Sequence, residues 1–526
     1  MSPIIKGTSD HAPVVLTISE KKRTGGSDPD PDPKLRPETY MHPDFPSLLN
    51  KQREADPLLG EYNAIEHIHA MIRYMFEVQS ILRRKKDIVV ATDAGHKLGI
   101  THAVLAAINA DRYKPANVRH LRKCNPDLKK IFMRRFPEIG RPYWWYNRRV
   151  LDDYLAELIR LDVDDGIRDL RKVNSLAPEF LVHKATILDK LRSLKPAANV
   201  AITRVHVNGE FYSDPNDIAN GVHAHLGAMF TGNPCPEGAA DEALEEFEGR
   251  FADQPWEITR RHVHEAILQP NKSHPGPGGV PFAAFRRCIE LSGEILYNAI
   301  TALLSADPPD IGPELRECFL FLLPKSADGI APDGTPSFSP KKVRPIIVSP
   351  SVMRIISQAI LRVLSPHAQG FVDVDQKGFL AGRQGMHNVY KANEHMTGHR
   401  NNIDSAILFV DFSNAFSCLN WGYIRKALTK FGMPPNWVNL MVDMLRTTVT
   451  LKFQDIVIQD FIEILAGCRQ GDPCSGLLFA ILIEPLLAAL RKQFPALAYA
   501  DDIAILIAGL TYIRFCRVCT LFRILI

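Results

Sequence analysis

The chain has 526 residues, of which 46% are apolar and 23% charged, and its formal net charge is +4. That length holds about two to four domains, and the composition is that of an ordinary globular protein, which excludes a fibrous or wholly disordered chain. Nine scattered cysteines exclude a disulfide framework and fit a reducing compartment. The amino terminus lacks a charged-then-apolar pattern and is not expected to act as a signal peptide.

In chain order, Ser9-Asp10-His11 reads as a polar turn leading into a strand. Thr24 to Pro46 is rich in Pro, Asp and Gly and reads as linker. A helical pattern runs from Leu58 to Arg84 and ends in Arg83-Arg84-Lys85-Lys86; Lys97 to Ile108 and Asn117 to Arg135 are expected as further helices. Residues 81–149 hold 17 Lys/Arg against 5 Asp/Glu, a density that suits a phosphate backbone but also a solvated helical face. Trp144 and Trp145 can stack bases or pack between helices. Leu151 to Leu194 is amphipathic and helical, and Val207 to Pro215 reads as a hairpin before a helix from Asn216 to Phe230. Residues 237–257 are acidic. His262 and His264 lack a metal-ligand pattern and read as surface residues. Cys516 and Cys519 form a lone CxxC with no second pair, which argues against zinc.

Ala406 to Val410 is a short apolar run ending in Asp411, expected as a buried strand that delivers its acid to an open edge. Leu497 to Ala500 is a second run, closed by Asp501-Asp502 and followed by the strand pattern Ile503 to Ile507. Strand, acidic turn and strand predict a hairpin with Asp501 and Asp502 at its tip. If the two strands are neighbours, Asp411 meets Asp501 although 90 residues separate them. Two carboxylates ~4 Å apart repel by about 4 kcal/mol at an effective dielectric of ~20. Such a cluster protonates or holds a cation, and hard carboxylate oxygens suit Mg²⁺. Neither Cys474 to Leu490, interrupted by Glu484 and Pro485, nor Ile503 to Ile526, with Arg514, Arg517 and Arg523, is expected to cross a membrane.

Three pieces carry a family resemblance: Asp411 to Phe416, Arg469-Gln470-Gly471-Asp472-Pro473-Cys474-Ser475, and Tyr499-Ala500-Asp501-Asp502. They resemble the A, B and C motifs of reverse transcriptases, the second being similar to the Arg-Gln-Gly-Asp-Pro-x-Ser of the non-LTR (LINE-type) branch. RNA-dependent RNA polymerases usually carry Gly-Asp-Asp at the third. Phe319 to Lys325 and Val343 to Ile347 look like the two finger strands, and Gln376 to Arg383 is similar to a turn that tracks the template. Lys272 to Val280 resembles the loop before the fingers, with Gly278 where the family has Asp. Ser417 stands where the family usually has a second Asp. Tyr143 to Tyr146 resembles the element between endonuclease and polymerase. Ser9-Asp10-His11 resembles the last motif of an apurinic-type endonuclease, without that domain's other acids.

The resemblance implies an α+β fold: a helical N-terminal region, then the fingers and palm of a right-hand polymerase, with an antiparallel palm sheet carrying helices on one face and no thumb. Expected boundaries are an endonuclease remnant over 1–19, a linker over 20–57, a basic helical extension over 58–257, fingers over 258–400, a palm over 401–509 and a tail unlike the family over 510–526. The implied activity is RNA-directed DNA polymerisation by two-metal nucleotidyl transfer. Asp411, Asp501 and Asp502 would be catalytic and bind two Mg²⁺ ions, with Mn²⁺ as the alternative ion. Lys325 and Arg344 would hold the triphosphate, Phe416 would act as a steric gate against a ribose 2′-OH, and Gln470 and Gly471 would border the templating pair. Pro473 would stiffen that turn and Ser475 would cap the following helix. Expected partners are an RNA template, a DNA primer and deoxynucleoside triphosphates, with no membrane, in nucleus or cytoplasm. The competing readings are an inactive nucleic-acid-binding remnant and, with less support, a group II intron maturase-like protein.

Overall fold

The computed structural model describes most of residues 34–508; it leaves out 1–33, 86–93, 105–117, 137–141, 172–201, 232–237, 509–526 and shorter gaps. The Ser9-Asp10-His11 turn, Lys272, the two CxxC cysteines and the whole 510–526 tail therefore lie outside the described residues. Helices and sheets are mixed along the chain, as the α+β expectation requires.

Part of the expected linker is packed structure. Phe45–Glu54 is a helix, and Leu35, Tyr40, Phe45 and Leu49 are buried in the largest core. Among the described residues of that stretch Pro43 and Asp44 sit in a turn, while Pro37 and Pro46 lie in the first turns of helices, where proline is tolerated, and the apolar residues keep helical spacing. The same core takes in the Ala64–Lys85 helix, the Ile289–Ser305 and Ser351–Phe371 helices, and helices at 421–445.

The basic region is less helical than its pattern predicts. Val118–Cys124 and Leu128–Ile131 are helices, but Phe132–Arg135 is a strand paired antiparallel with Tyr143–Tyr146. The aromatic side chains of the pair, Phe132 and Tyr143 to Tyr146, favour the pleated arrangement there over a continued helix. Trp144 is buried in a small separate core, so packing is its established role. The following helix runs Arg148–Leu170; residues 172–194 of the predicted helix are outside the described part. The Val205–Val207 and Glu210–Tyr212 hairpin and the Pro215–Phe230 helix appear as expected, with Asp214 capping the helix by accepting from the Asn216 and Asp217 N–H groups.

Two sheets position the site. In the first, Glu317–Pro324 pairs antiparallel with Val343–Val348 and parallel with Thr447–Phe453. In the second, Asp502–Ile507 lies between Ala496–Tyr499 and Ala406–Val410, both antiparallel to it. One face of this second sheet, with Leu408, Val410, Ile503, Ile505 and Ile507, packs on the buried Ser475–Arg491 helix. The Ala406–Val410 strand is not buried on both faces: its other face leaves Phe409 75% exposed. Apolar continuity had suggested two covered faces, but the Met386–Gly398 helix, whose His395 Nε2 lies 3.2 Å from the Ile507 carbonyl, leaves Phe409 uncovered.

Candidate active site

The hairpin and its neighbour bring the three acids together. Val410 lies opposite Ile503, so the register sets Asp411 opposite Asp502, both exposed and on the open face with Phe409 and Ala504. Tyr499 pairs with Asp502, leaving Ala500 and half-buried Asp501 as the loop. Ala500 has φ 56°, at the position that type II′ hairpins give to glycine. Burial pushes the Asp501 carboxyl above the usual carboxylate range, and the charges of Asp502 and Asp411 push it further; Arg344 opposes.

The cations stand on the first sheet. Leu323 lies opposite Arg344, and the Lys325 N–H donates to the Lys342 carbonyl at 2.8 Å, so the alternation puts exposed Lys325 and Arg344 on one face. Burial lowers the Lys325 ammonium below its usual range, Arg344 and Lys342 lower it further, and Asp411 and Asp501 oppose the shift. The two sheets thus place Asp411 and Asp501 within electrostatic reach of Lys325, and Asp501 within that of Arg344. Among the described residues no group of three or more His, Cys, Asp or Glu forms a ready-made metal cage. The acids do fit a hard divalent ion of the Mg²⁺ kind, which takes a couple of carboxylates and completes its shell from substrate phosphates and water.

The loop before the Ser475–Arg491 helix docks on the first sheet and on the short Ala415–Cys418 helix that follows Asp411. The Cys468 N–H donates to the Phe416 carbonyl at 2.6 Å, and the Ile347 N–H to the Gln470 carbonyl at 3.0 Å. Gly471, at φ 110°, lies so close to the Val343–Val348 strand that a Cβ would sit 2.6 Å from the Ile347 oxygen. Gln470 is half-buried and Gly471 exposed. The phenyl ring of Phe416 is half-buried, stacks on Phe479 at 4.6 Å and meets Phe379 edge-on at 6.0 Å, so core packing holds it whatever else it does.

Three findings go against or beyond the sequence. Ser475 does not cap the helix by side chain; instead the Asp472 carboxylate accepts from the Cys474 N–H at 3.0 Å. Asp472 also accepts from Ser357 Oγ at 2.5 Å and from Arg469 Nη2 at 2.8 Å, while Arg469 Nη1 reaches Ser349 at 3.2 Å. This buried pair organises the loop; its signal was the opposite charge three residues apart inside one motif. His262, expected at the surface, is half-buried and closes a capping box with Thr259. Finally, the Gln376 to Arg383 turn touches the hairpin itself: Lys377 N–H donates to the Ala498 carbonyl at 2.8 Å.

Among the described residues no helix is long and apolar enough to cross a membrane. Residues 324–517 match the family described as reverse transcriptase (RNA-dependent DNA polymerase). The chain is 24% identical over 331 residues to the Transposon TX1 uncharacterized 149 kDa protein of Xenopus laevis, covering 59% of this chain and 24% of that protein. It is 32% identical over 119 residues to the retrovirus-related Pol polyprotein from type-1 retrotransposable element R2 of Bradysia coprophila, covering 20% of this chain and 14% of that one. For an R2 Pol polyprotein of Popillia japonica the figures are 24% over 265 residues, 47% and 34%. The chain thus spans between 14% and 34% of the length of these relatives.

Proposed function

Because this chain belongs to the reverse transcriptases of the non-LTR, LINE-type kind, we propose that its two sheets are palm and fingers and extend a DNA primer along an RNA template. Asp411, Asp501 and Asp502 would hold two divalent ions, Mg²⁺ or in its place Mn²⁺. Such ions, when bound, would supply acidification of a primer 3′-hydroxyl and charge neutralisation at a leaving pyrophosphate. Lys325 and Arg344 fix the triphosphate, since fixed cations aimed at developing charge cost no reorganisation during transfer. Gly471 lets template and nucleotide approach the backbone, Gln470 borders the templating pair, and the Phe416 ring crowds a ribose 2′-OH.

The observation that carries this reading is the electrostatic one. Asp501 is destabilised as an anion by burial and by its two acidic neighbours, and Lys325 as a cation by burial and its basic ones. Each cluster favours a partner of opposite charge, as a metal-bound triphosphate would provide.

Primer extension on poly(rA)–oligo(dT) with Mg²⁺ tests it. Incorporation by the chain, lost in Asp501→Ala, supports the proposal. A second reading rests on the basic region, where Arg122 lies over the Trp144 ring at 5.0 Å and Arg135 over Trp145 at 4.1 Å, beside exposed Lys129, Lys130 and Arg134. Duplex binding that depends on these side chains, without incorporation, would favour a nucleic-acid-binding protein instead.

A further inference from the structure

We propose that Gln376 is the positioning residue that sets the Ala500 turn and so aims Asp501 at its ion; the proposal rests on the polymerase reading for its consequence, not for its geometry. The Gln376 side chain is wholly buried. Its Oε1 accepts from the Ala500 N–H at 2.8 Å and from the Gly378 N–H at 2.9 Å, and its Nε2 donates to the Ala500 carbonyl at 3.1 Å. Two N–H groups on one side and a carbonyl on the other leave the amide a single orientation. One side chain, 124 residues upstream, thus satisfies both backbone groups of the residue before Asp501.

Ala500 needs that support. Its φ of 56° is left-handed, a region that costs a non-glycine residue free energy and persists only when the surroundings hold it. The dihedrals of Ala500 set the direction in which Asp501 leaves the turn. The clamp is itself fastened: Gln376 bridges Ala498 in parallel, and Asn388 Nδ2 donates to the Asp375 carbonyl at 3.0 Å and to that of Ala498 at 2.9 Å. Lys391 pairs with Asp375. Gly378 completes the fit, because a Cβ there would stand 2.3 Å from the Ala500 nitrogen. Gln376 touches none of the three acids in these contacts; it acts through the backbone of Ala500.

The test uses the full chain and two readouts, free Mn²⁺ by electron paramagnetic resonance and hydrogen exchange of the peptide spanning residues 496–502. Gln376→Met keeps the length and loses all three hydrogen bonds. It is expected to weaken Mn²⁺ binding by about tenfold and to speed exchange at Ala500, with the rest of the chain exchanging as in the parent. Adding Ala500→Gly is expected to restore Mn²⁺ affinity to within about threefold, since glycine takes the left-handed turn unaided. A merely structural role would lower melting temperature with no recovery from the glycine. If Gln376→Met does not fold, Gln376→Glu, which keeps an oxygen toward the Ala500 N–H and loses the donor, carries the same comparison. Parent-like Mn²⁺ affinity and Ala500 exchange in these variants, or no rescue by Ala500→Gly, would overturn the proposal. A parent that binds Mn²⁺ through Asp501 yet incorporates no nucleotide would instead sink the polymerase reading and leave the clamp standing.

Discussion

Asp472 and Asp501 are both acids of signature motifs, and the molecule treats them oppositely. Asp472 is enclosed with a guanidinium, a hydroxyl and a backbone N–H aimed at it. Asp501 stands half-buried at a hairpin tip where the charges of Asp502 and Asp411 each act on it more strongly than the opposing Arg344. A balanced acid is a fastener, because its ionised form is satisfied by the fold. An acid set among like charges is a liability in the bare fold and becomes favourable only with a cation. The difference separates the residue that builds the site from the residue the site is built for.

The contrast can be broken most sharply at the tip. Asp501→Asn is expected to cut primer extension by about a thousandfold or more, about 4 kcal/mol of transition-state stabilisation, as read in single-turnover incorporation. Asp472→Ala should act on stability: removing one partner of a buried pair leaves Arg469 uncompensated and costs about 3–5 kcal/mol, measured by urea unfolding. If Asp501→Asn unfolds the chain and Asp472→Ala does not, the assignment of roles is reversed. Gly471→Ala forces a Cβ against the Ile347 oxygen from a left-handed φ and should cost about 2 kcal/mol, with loosening of the loop against the Arg344 strand in hydrogen exchange.

The pH dependence sharpens the comparison. The folded-state pKa of Asp501 lies above its ordinary value, so its contribution to stability is fully present below the unfolded pKa and is lost as pH rises through the folded one. Without divalent ions, Asp501→Asn should remove that slope and stabilise the chain at neutral pH by about 1 kcal/mol; added Mg²⁺ should reverse the order of the two proteins in a melting experiment. The smallest effect is expected at Phe409, 75% exposed on the open face: Phe409→Ser should change stability by less than about 0.5 kcal/mol. Ile505→Ser, on the covered face of the same sheet, should cost several times more.

Much of this was legible in the chain. The hairpin over 496–507, the strand before Asp411 and the helix ending at Phe230 follow from apolar runs bounded by turn residues, while the paired strands beside Lys325 and Arg344 came from the family resemblance. Those runs are local signals, and adjacency of two strands was the one further step that brings Asp411 to the acidic turn, although the register sets it opposite Asp502 where Asp501 was expected. What stayed hidden was non-local. Nothing near Gln376 says that its amide reaches Ala500, and nothing near Asp472 says that Ser357, 115 residues upstream, closes on it. The expected linker failed for the opposite reason, since Leu35 and Phe45 pack on helices that the Pro- and Asp-rich composition around them conceals. Phe409 misled because an apolar strand reads the same whether one face or both are covered.

The parallel union of Glu317–Pro324 with Thr447–Phe453 has a consequence for biogenesis. During synthesis the earlier strand leaves the ribosome with Val343–Val348 as its first partner, while its opposite edge waits for a segment made more than a hundred residues later. Loop closure over such a span is slow, and an unsatisfied strand edge invites pairing with other nascent chains. The sheet that carries Arg344 is therefore complete only after the Thr447–Phe453 strand has been made, and chaperone demand should peak in the interval before that strand arrives.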